Sequence, residues 1–288
     1  MKRIKKIQKA MLLSLIGSAF LTSCASETII ESNDGLSIVT LTPFSTEILV
    51  DLGASSYIMG KDIHSERFNI ENSYIFDMFS LNMEQLISLD PDLIFISFMP
   101  DIFYGTSLQD RVYYFPSANS IYEIEEQITK IGNLVSRNSE ANYLLLEMNT
   151  KIESVLNNIN YLNIQNRTVY FEIGAHPIFT IGNGTFLNYI LEMIGSINIF
   201  SDYEGWIQAS DEEIILRNPY VIITNVAYID DPVAEVVNRA GFNIIDAVIN
   251  ERVIKVDPFV TSSFNHRVAD AIYYIAKAVF PEISEIDR

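Results

Sequence analysis

Two stretches of this chain repeat in order, and that repetition restricts the fold more than any composition figure does. Ile48-Leu49-Val50-Asp51-Leu52-Gly53-Ala54 is echoed by Ile190-Leu191-Glu192-Met193-Ile194-Gly195-Ser196. Further on, Glu84-Gln85-Leu86-Ile87, Pro91 and Leu93-Ile94-Phe95-Ile96 are echoed by Glu212-Glu213-Ile214-Ile215, Pro219 and Val221-Ile222-Ile223-Thr224. The offsets are 142 and 128 residues. The first unit reads as a helix closed by glycine, the second as a short helix stopped by proline before a buried strand. Two echoes in one order point to a duplicated α/β unit, and two copies give pseudo-symmetry rather than a solenoid.

The other segments fit that unit. Residues 37–41, 57–60, 93–97 and 112–115 read as strands, with helices beginning at Ser45 or Thr46, with Glu47 in the first turn, and at 83–89. The second half opens with a strand at 168–173 and a helix at 186–193. Strands alternating with helices imply mainly parallel, helix-covered sheets. Between the halves, Ile121, Ile124, Ile128, Ile131 and Val135 mark one helical face, and Leu145, Met148, Ile152, Val155 and Ile159 mark another. The expected architecture is α/β: two pseudo-symmetric lobes, residues 36–138 and 161–288, joined by a long rigid helix at 139–160, with a ligand cleft between them.

The N terminus has a different character. Lys2, Arg3, Lys5, Lys6 and Lys9 precede an apolar run over 11–21, too short for the about 20 residues that span a bilayer. Residues 1–23 read as a secretory signal peptide. Leu21-Thr22-Ser23-Cys24 resembles the bacterial lipobox, which implies cleavage before Cys24, lipid on that residue and a tether over 24–35. The expected location is the cell envelope, outside the cytoplasm and anchored to the membrane by lipid. Cys24 is the sole cysteine, so a disulfide framework and a Cys-rich zinc site are excluded. The whole chain carries −18, and removing five basic residues leaves a still more acidic body that repels phosphate backbones. G-x-S-x-G, P-loop and H-E-x-x-H motifs are absent, so no enzyme is expected.

The order of several further segments carries a family likeness. They are 37–43 with Thr46-Glu47-Ile48-Leu49, Asn82-Met83-Glu84 running into Leu89-Asp90-Pro91-Asp92, and Phe171-Glu172-Ile173. Gly205-Trp206, Asn218-Pro219-Tyr220 and Arg252-Val253-Ile254-Lys255-Val256-Asp257 complete the set. This layout resembles the helical-backbone class of periplasmic substrate-binding proteins of ABC importers. The resemblance implies a metal-chelate cargo (iron–siderophore, haem or cobalamin), no cofactor of its own, and an ABC permease and ATPase as partners. It also implies that Glu84 and Glu212 dock onto permease arginines, with Glu213 as a possible substitute for Glu212.

Ligands of open parallel sheets bind beyond the carboxyl ends of the strands. Those ends are expected at 43–46, 62–67, 97–104, 172–177, 225–228 and 257–266. They hold Phe44, Phe98, Phe103, Tyr104, Tyr228 and Phe259, flat walls for a bulky chelate, with Ser45 as a further ligand-binding candidate, and the resemblance adds Trp206. The chain's three histidines, His64, His176 and His266, all fall in these segments and are candidate metal ligands. Arg67 and Arg267 are candidate counter-charges for an anionic cargo, whereas Arg111 lies further off. The alternative reading is a receptor for free nickel, cobalt, zinc or manganese, built from the histidines with Asp62, Glu172 or Asp257.

Overall fold

The computed structural model describes residues 35–262 and 264–285. The expected signal peptide, Cys24 and nearly all of the tether lie outside the described residues. Strand β1 (Ile38–Thr40) is wholly buried and leads into helix α1 (Pro43–Asp51). The helix starts earlier than the sequence suggested, because Thr42 is the N-cap and Pro43, with its preset φ, occupies the first turn. Strands β2 (Ile58–Asp62) and β3 (Tyr74–Phe76), helix α2 (Met83–Leu89) and strands β4 (Leu93–Ile96) and β5 (Val112–Tyr114) follow. They form a five-stranded sheet in the order β3-β2-β1-β4-β5, parallel throughout.

Helices α3 (Ile121–Leu134) and α4 (Asn138–Leu162) then cross to the second half. Ser120 caps α3 by accepting from the Glu123 N–H, and Glu123 reaches back to the Asn119 N–H at 2.6 Å. Ile124, Ile128 and Ile131 of α3, and Met148, Ile152, Val155 and Ile159 of α4, are buried in one apolar cluster. Gly132 permits their close crossing, since a Cβ there would stand 2.5 Å from that of Ala141. Ser136 takes a left-handed φ of 55° and breaks α3 from α4.

The second sheet repeats the first with an addition. Its elements are β6 (Thr168–Ala175), β7 (Ile178–Ile181), α5 (Phe186–Met193), β8 (Ile197–Asn198), β9 (Trp206–Gln208), α6 (Asp211–Arg217) and β10 (Val221–Thr224). Helices α7 (Pro232–Val237) and α8 (Asp246–Ile249), strand β11 (Val253–Lys255), and helices α9 (Pro258–Thr261) and α10 (Val268–Val279) complete it. The run β8-β6-β10-β11 is parallel and matches β2-β1-β4-β5 of the first sheet. The antiparallel strands β7 and β9 extend the upper half of β6 and have no counterpart in the first sheet.

The repeated units share their backbone devices. Gly53 and Gly195 follow α1 and α5 with φ of 69° and 73°. Each begins the same pair of closing bonds: Gly53 to Val50 and Ala54 to Leu49, Gly195 to Glu192 and Ser196 to Leu191. This is a Schellman cap, whose left-handed residue glycine adopts without strain. Helices α2 and α6 are both seven residues long, capped by Asn82 and Ser210, and both end on a left-handed residue (Asp90, Asn218) before a proline. Both sheets belong to one compact unit, Gly35–Arg288. Within it α10 lies along α4, where Lys151 and Asp270 form an ion pair. Among the described residues, no helix is long and apolar enough to cross a membrane.

Candidate functional site

Segments that leave the carboxyl ends of β1 and β2 meet a segment that follows β11. Glu47, on α1, is buried, and its Oε2 accepts from Arg67 at 3.1 Å and from Asn265 at 2.8 Å. Arg267 Nε lies 3.5 Å from the other oxygen. One turn later, Asp51 accepts from Arg267 at 2.9 Å and faces His266 Nε2 at 2.7 Å. Burial pushes the Asp51 carboxyl up, but His266 and Arg267 outweigh it and hold it below its ordinary value. Two carboxylates from the first half thus fasten three consecutive residues of the second. Nearby, buried Lys61 on β2 donates to the Phe68 carbonyl at 2.6 Å and pins the loop that carries Arg67. The Arg67 guanidinium lies 4.7 Å from the Phe68 ring centre and 5.6 Å from that of Phe259.

Aromatic rings, most of them exposed, stand near strand ends on both halves. Phe98, just past β4, packs at 5.2 Å against Phe79, which is 81% exposed. Tyr104 is also exposed. On the second half, Tyr228 follows β10, Phe259 lies in α9 and Trp206 opens the edge strand β9; all three are exposed. The Tyr228 hydroxyl accepts the Ala175 N–H at 2.8 Å and so fastens the tip of the β6–β7 hairpin.

The three histidines separate into three environments. His64 is exposed in a short turn whose N-cap, Asp62, accepts its backbone N–H. His266 is buried against Asp51. His176, with Pro177, makes the turn of the β6–β7 hairpin, and its ring is 71% exposed with Nε2 3.5 Å from Glu235. Behind it runs a charged chain. Arg239 donates from Nε to Glu235 at 3.0 Å, bonds the same carboxylate a second time, and donates to both oxygens of Glu172 at 2.6 and 2.9 Å. The Tyr170 hydroxyl donates to Glu172 at 3.0 Å. Burial pushes the Glu172 carboxyl up, and the Arg239 and Tyr170 bonds offset this only in part.

Glu84 and Glu212 stand at the second position of α2 and α6, both exposed. Each helix connects strands that run in parallel, so each begins at the carboxyl rim of its sheet. Neither glutamate has a hydrogen-bond or ion-pair partner among the described residues. Glu213 does: Tyr203 donates to it at 3.0 Å and Arg217 at 2.8 Å.

Several expected site residues have other employment. Ser45 is fully buried, with its hydroxyl in a network with Thr40 and the Thr42 carbonyl, so it does not face a ligand. Phe103 is a core residue, and Phe44 is half-buried against the main apolar cluster. His266 joins the two halves instead of opening onto solvent, and Arg267 is held by Glu47 and Asp51. Arg111 donates to Asp90 and to the Pro91 carbonyl, both at 2.7 Å, and braces the end of α2. Glu172 is enclosed with Arg239 and is closed to a metal ion. Among the described residues, no group of three or more His, Cys, Asp or Glu side chains is placed to hold a metal ion. Sequence reasoning gave no site role to Glu47, Asp51, Phe79, Glu235, Arg239 or Asn265. A glutamate inside the apolar run Thr46-Glu47-Ile48-Leu49 was a usable signal for the first of these, since a buried charge needs a partner.

Comparison with known proteins agrees with this fold. An ABC transporter substrate-binding lipoprotein of Bacillus subtilis, YvrC, itself uncharacterized, is 29% identical over 260 residues, covering 85% of this chain and 80% of its own length. A vitamin B12-binding protein of Salmonella choleraesuis is 25% identical over 196 residues, 65% of this chain and 71% of its own. Among solved structures, a possible iron-binding periplasmic solute-binding protein of Staphylococcus epidermidis matches with a TM-score of 0.72 at 29% identity, covering 84% of this chain and 98% of that one. A periplasmic heme binding protein of Pseudomonas aeruginosa shares the fold with a TM-score of 0.73 at 18% identity, over 85% and 92% of the two chains. A family model for periplasmic binding proteins matches residues 38–259, and the chain belongs to that family.

Proposed function

We propose that the protein captures a metal chelate (an iron–siderophore, haem or cobalamin) between its two halves and delivers it to the permease and ATPase of an ABC importer. In this reading it works outside the cytoplasm, held to the membrane by lipid on Cys24, and catalyses no reaction. The observation that carries the reading is the set of exposed rings at the carboxyl rims of both sheets: Phe79 and Tyr104 on one side, with half-buried Phe98 packed against Phe79, and Tyr228 and Phe259 on the other. Flat apolar walls suit a large organic ligand, and desolvating them on binding supplies affinity without a covalent or metal-cage contribution. The relatives' names point the same way. Arg67, partly exposed and stacked near Phe259, supplies a positive charge for an acidic group on the cargo. Glu84 and Glu212, one free carboxylate on each rim, form a two-point contact for a basic permease surface. A free-metal receptor would need a cluster of ligands that the described residues lack.

Trp206 is the chain's sole tryptophan, so its fluorescence reports on the edge strand of the second sheet. Titration of the purified protein with haemin, a cobalamin, a ferric siderophore, nickel and zinc is expected to give saturable quenching by a chelate. Saturable quenching by a bare ion and by no chelate would overturn the proposal.

A further inference from the structure

The three histidines are unequal, and what stands behind each of them separates them. A metal already enclosed in a planar macrocycle needs one more ligand from the protein, not three, so the lack of a multi-ligand cluster among the described residues does not bear on it. An imidazole that serves this purpose has one nitrogen free and the other hydrogen-bonded to a carboxylate, which fixes the tautomer, orients the ring and raises its basicity. His266 fails this test: it is buried and its Nε2 is held by Asp51 across the junction of the two halves. His64 is exposed, but no carboxylate lies within ion-pair distance of its ring among the described residues. His176 comes nearest to both conditions, with a carboxylate within ion-pair distance of one ring nitrogen and the other nitrogen left without a partner among the described residues. Its ring is exposed at a hairpin tip on the carboxyl rim of the second sheet, and Glu235 sits 3.5 Å behind Nε2.

Glu235 is itself fixed. Arg239 holds it through two bonds, and Arg239 is only 7% exposed, anchored by both oxygens of the fully buried Glu172. Two carboxylates against one guanidinium leave one net negative charge. That charge lies toward the imidazole, where a metal centre would place a positive one. Tyr228 secures the same tip by accepting the Ala175 N–H. The ring is thus presented by a braced turn, and its Nε2 faces a braced carboxylate.

We infer that His176 is the axial ligand for a planar metal macrocycle with an exchangeable coordination position, and that Glu235, set by Arg239 and Glu172, is the residue that positions it. The inference rests on the cargo-capture reading above and narrows its ligand class. Siderophores that fill all six positions on iron have no place for an imidazole.

Absorption spectra of the full chain loaded with haemin, and separately with aquocobalamin, test it. At least one macrocycle is expected to shift its bands as an imidazole adduct does. His176→Ala should abolish that shift and weaken binding more than tenfold, and added imidazole should restore the bands. Glu235→Gln should keep the shifted bands but weaken binding by about tenfold, the usual size of such an outer-layer effect. Unaltered bands in His176→Ala, or wild-type affinity in Glu235→Gln, would overturn the inference. Saturable binding of a ferric siderophore with neither macrocycle bound would overturn it while leaving the cargo-capture reading intact. Binding of no chelate at all would overturn both.

Discussion

The central strands of the two sheets stand in the same register and end differently. Ile38, Val39 and Thr40 of β1 pair with Leu93, Ile94 and Phe95 of β4; Val169, Tyr170 and Phe171 of β6 pair with Val221, Ile222 and Ile223 of β10. The next residue is Leu41 in the first sheet and Glu172 in the second, and both are buried. Leu41 packs in an apolar cluster with Phe76 and Met78. Glu172 demands a counter-charge, and the demand is met by Arg239, which in turn holds Glu235 at the rim. One apolar-to-acidic difference at matched positions therefore accompanies a charged column that reaches a surface histidine. The duplicated frame is kept by caps, prolines and register, whereas chemistry enters where the copies part.

That comparison can be broken or sharpened by mutation. The largest effect should come from the matched helices: reversing Glu84 and Glu212 together to lysine is expected to abolish uptake of the chelate in cells while its affinity for the purified protein is unchanged. A fall in affinity would show that these residues serve the cleft and not the permease. Next, Glu172→Leu copies the first sheet into the second and strips a buried guanidinium of one partner. The expected loss is about 3–5 kcal/mol by urea unfolding, with much of it recovered in Glu172→Leu/Arg239→Leu. Gly53→Ala and Gly195→Ala test what the copies share. Neither position is crowded, so the cost is the left-handed backbone alone, about 1–2 kcal/mol each, and a wide inequality between them would refute equivalent caps. The smallest effect is expected at Asp51. Its carboxyl titrates below the ordinary 3.8 in the folded chain, so its ion pairs stabilise the fold above that value, and this contribution disappears as pH falls through the folded value. Asp51→Asn should lower stability at neutral pH by a few tenths of a kcal/mol and flatten the acid limb of the stability profile.

Local signals were legible in the sequence and long-range ones were not. Helix–glycine and helix–proline–strand units declare themselves within ten residues, so the duplication and the parallel sheets followed from reading alone. The apolar faces of α3 and α4 were equally plain, because helical spacing reports burial directly. The β6–β7 hairpin escaped, since its turn is His176-Pro177 and not one of the Gly or Asn pairs that mark tight turns. Scarcity drew attention to the histidines and arginines, but it does not tell which have partners. Arg267 and His266 meet Asp51 across more than 200 residues, and no spacing rule connects them. Glu213 and Glu212 look alike in sequence, and only the neighbouring Arg217 and Tyr203 distinguish the engaged carboxylate from the free one.

The bonds from Glu47 to Asn265 and from Asp51 to His266 join residues 218 and 215 positions apart. Loop-closure entropy grows only logarithmically with length, so this separation is cheap at equilibrium, but it governs the order of assembly. A chain made from its N terminus has the whole first sheet available while the residues that complete the junction are still to be added. The junction is therefore among the last features to form, and a chain cut short before residue 265 would hold the strands of both sheets without the residues that fasten the second half to Glu47 and Asp51.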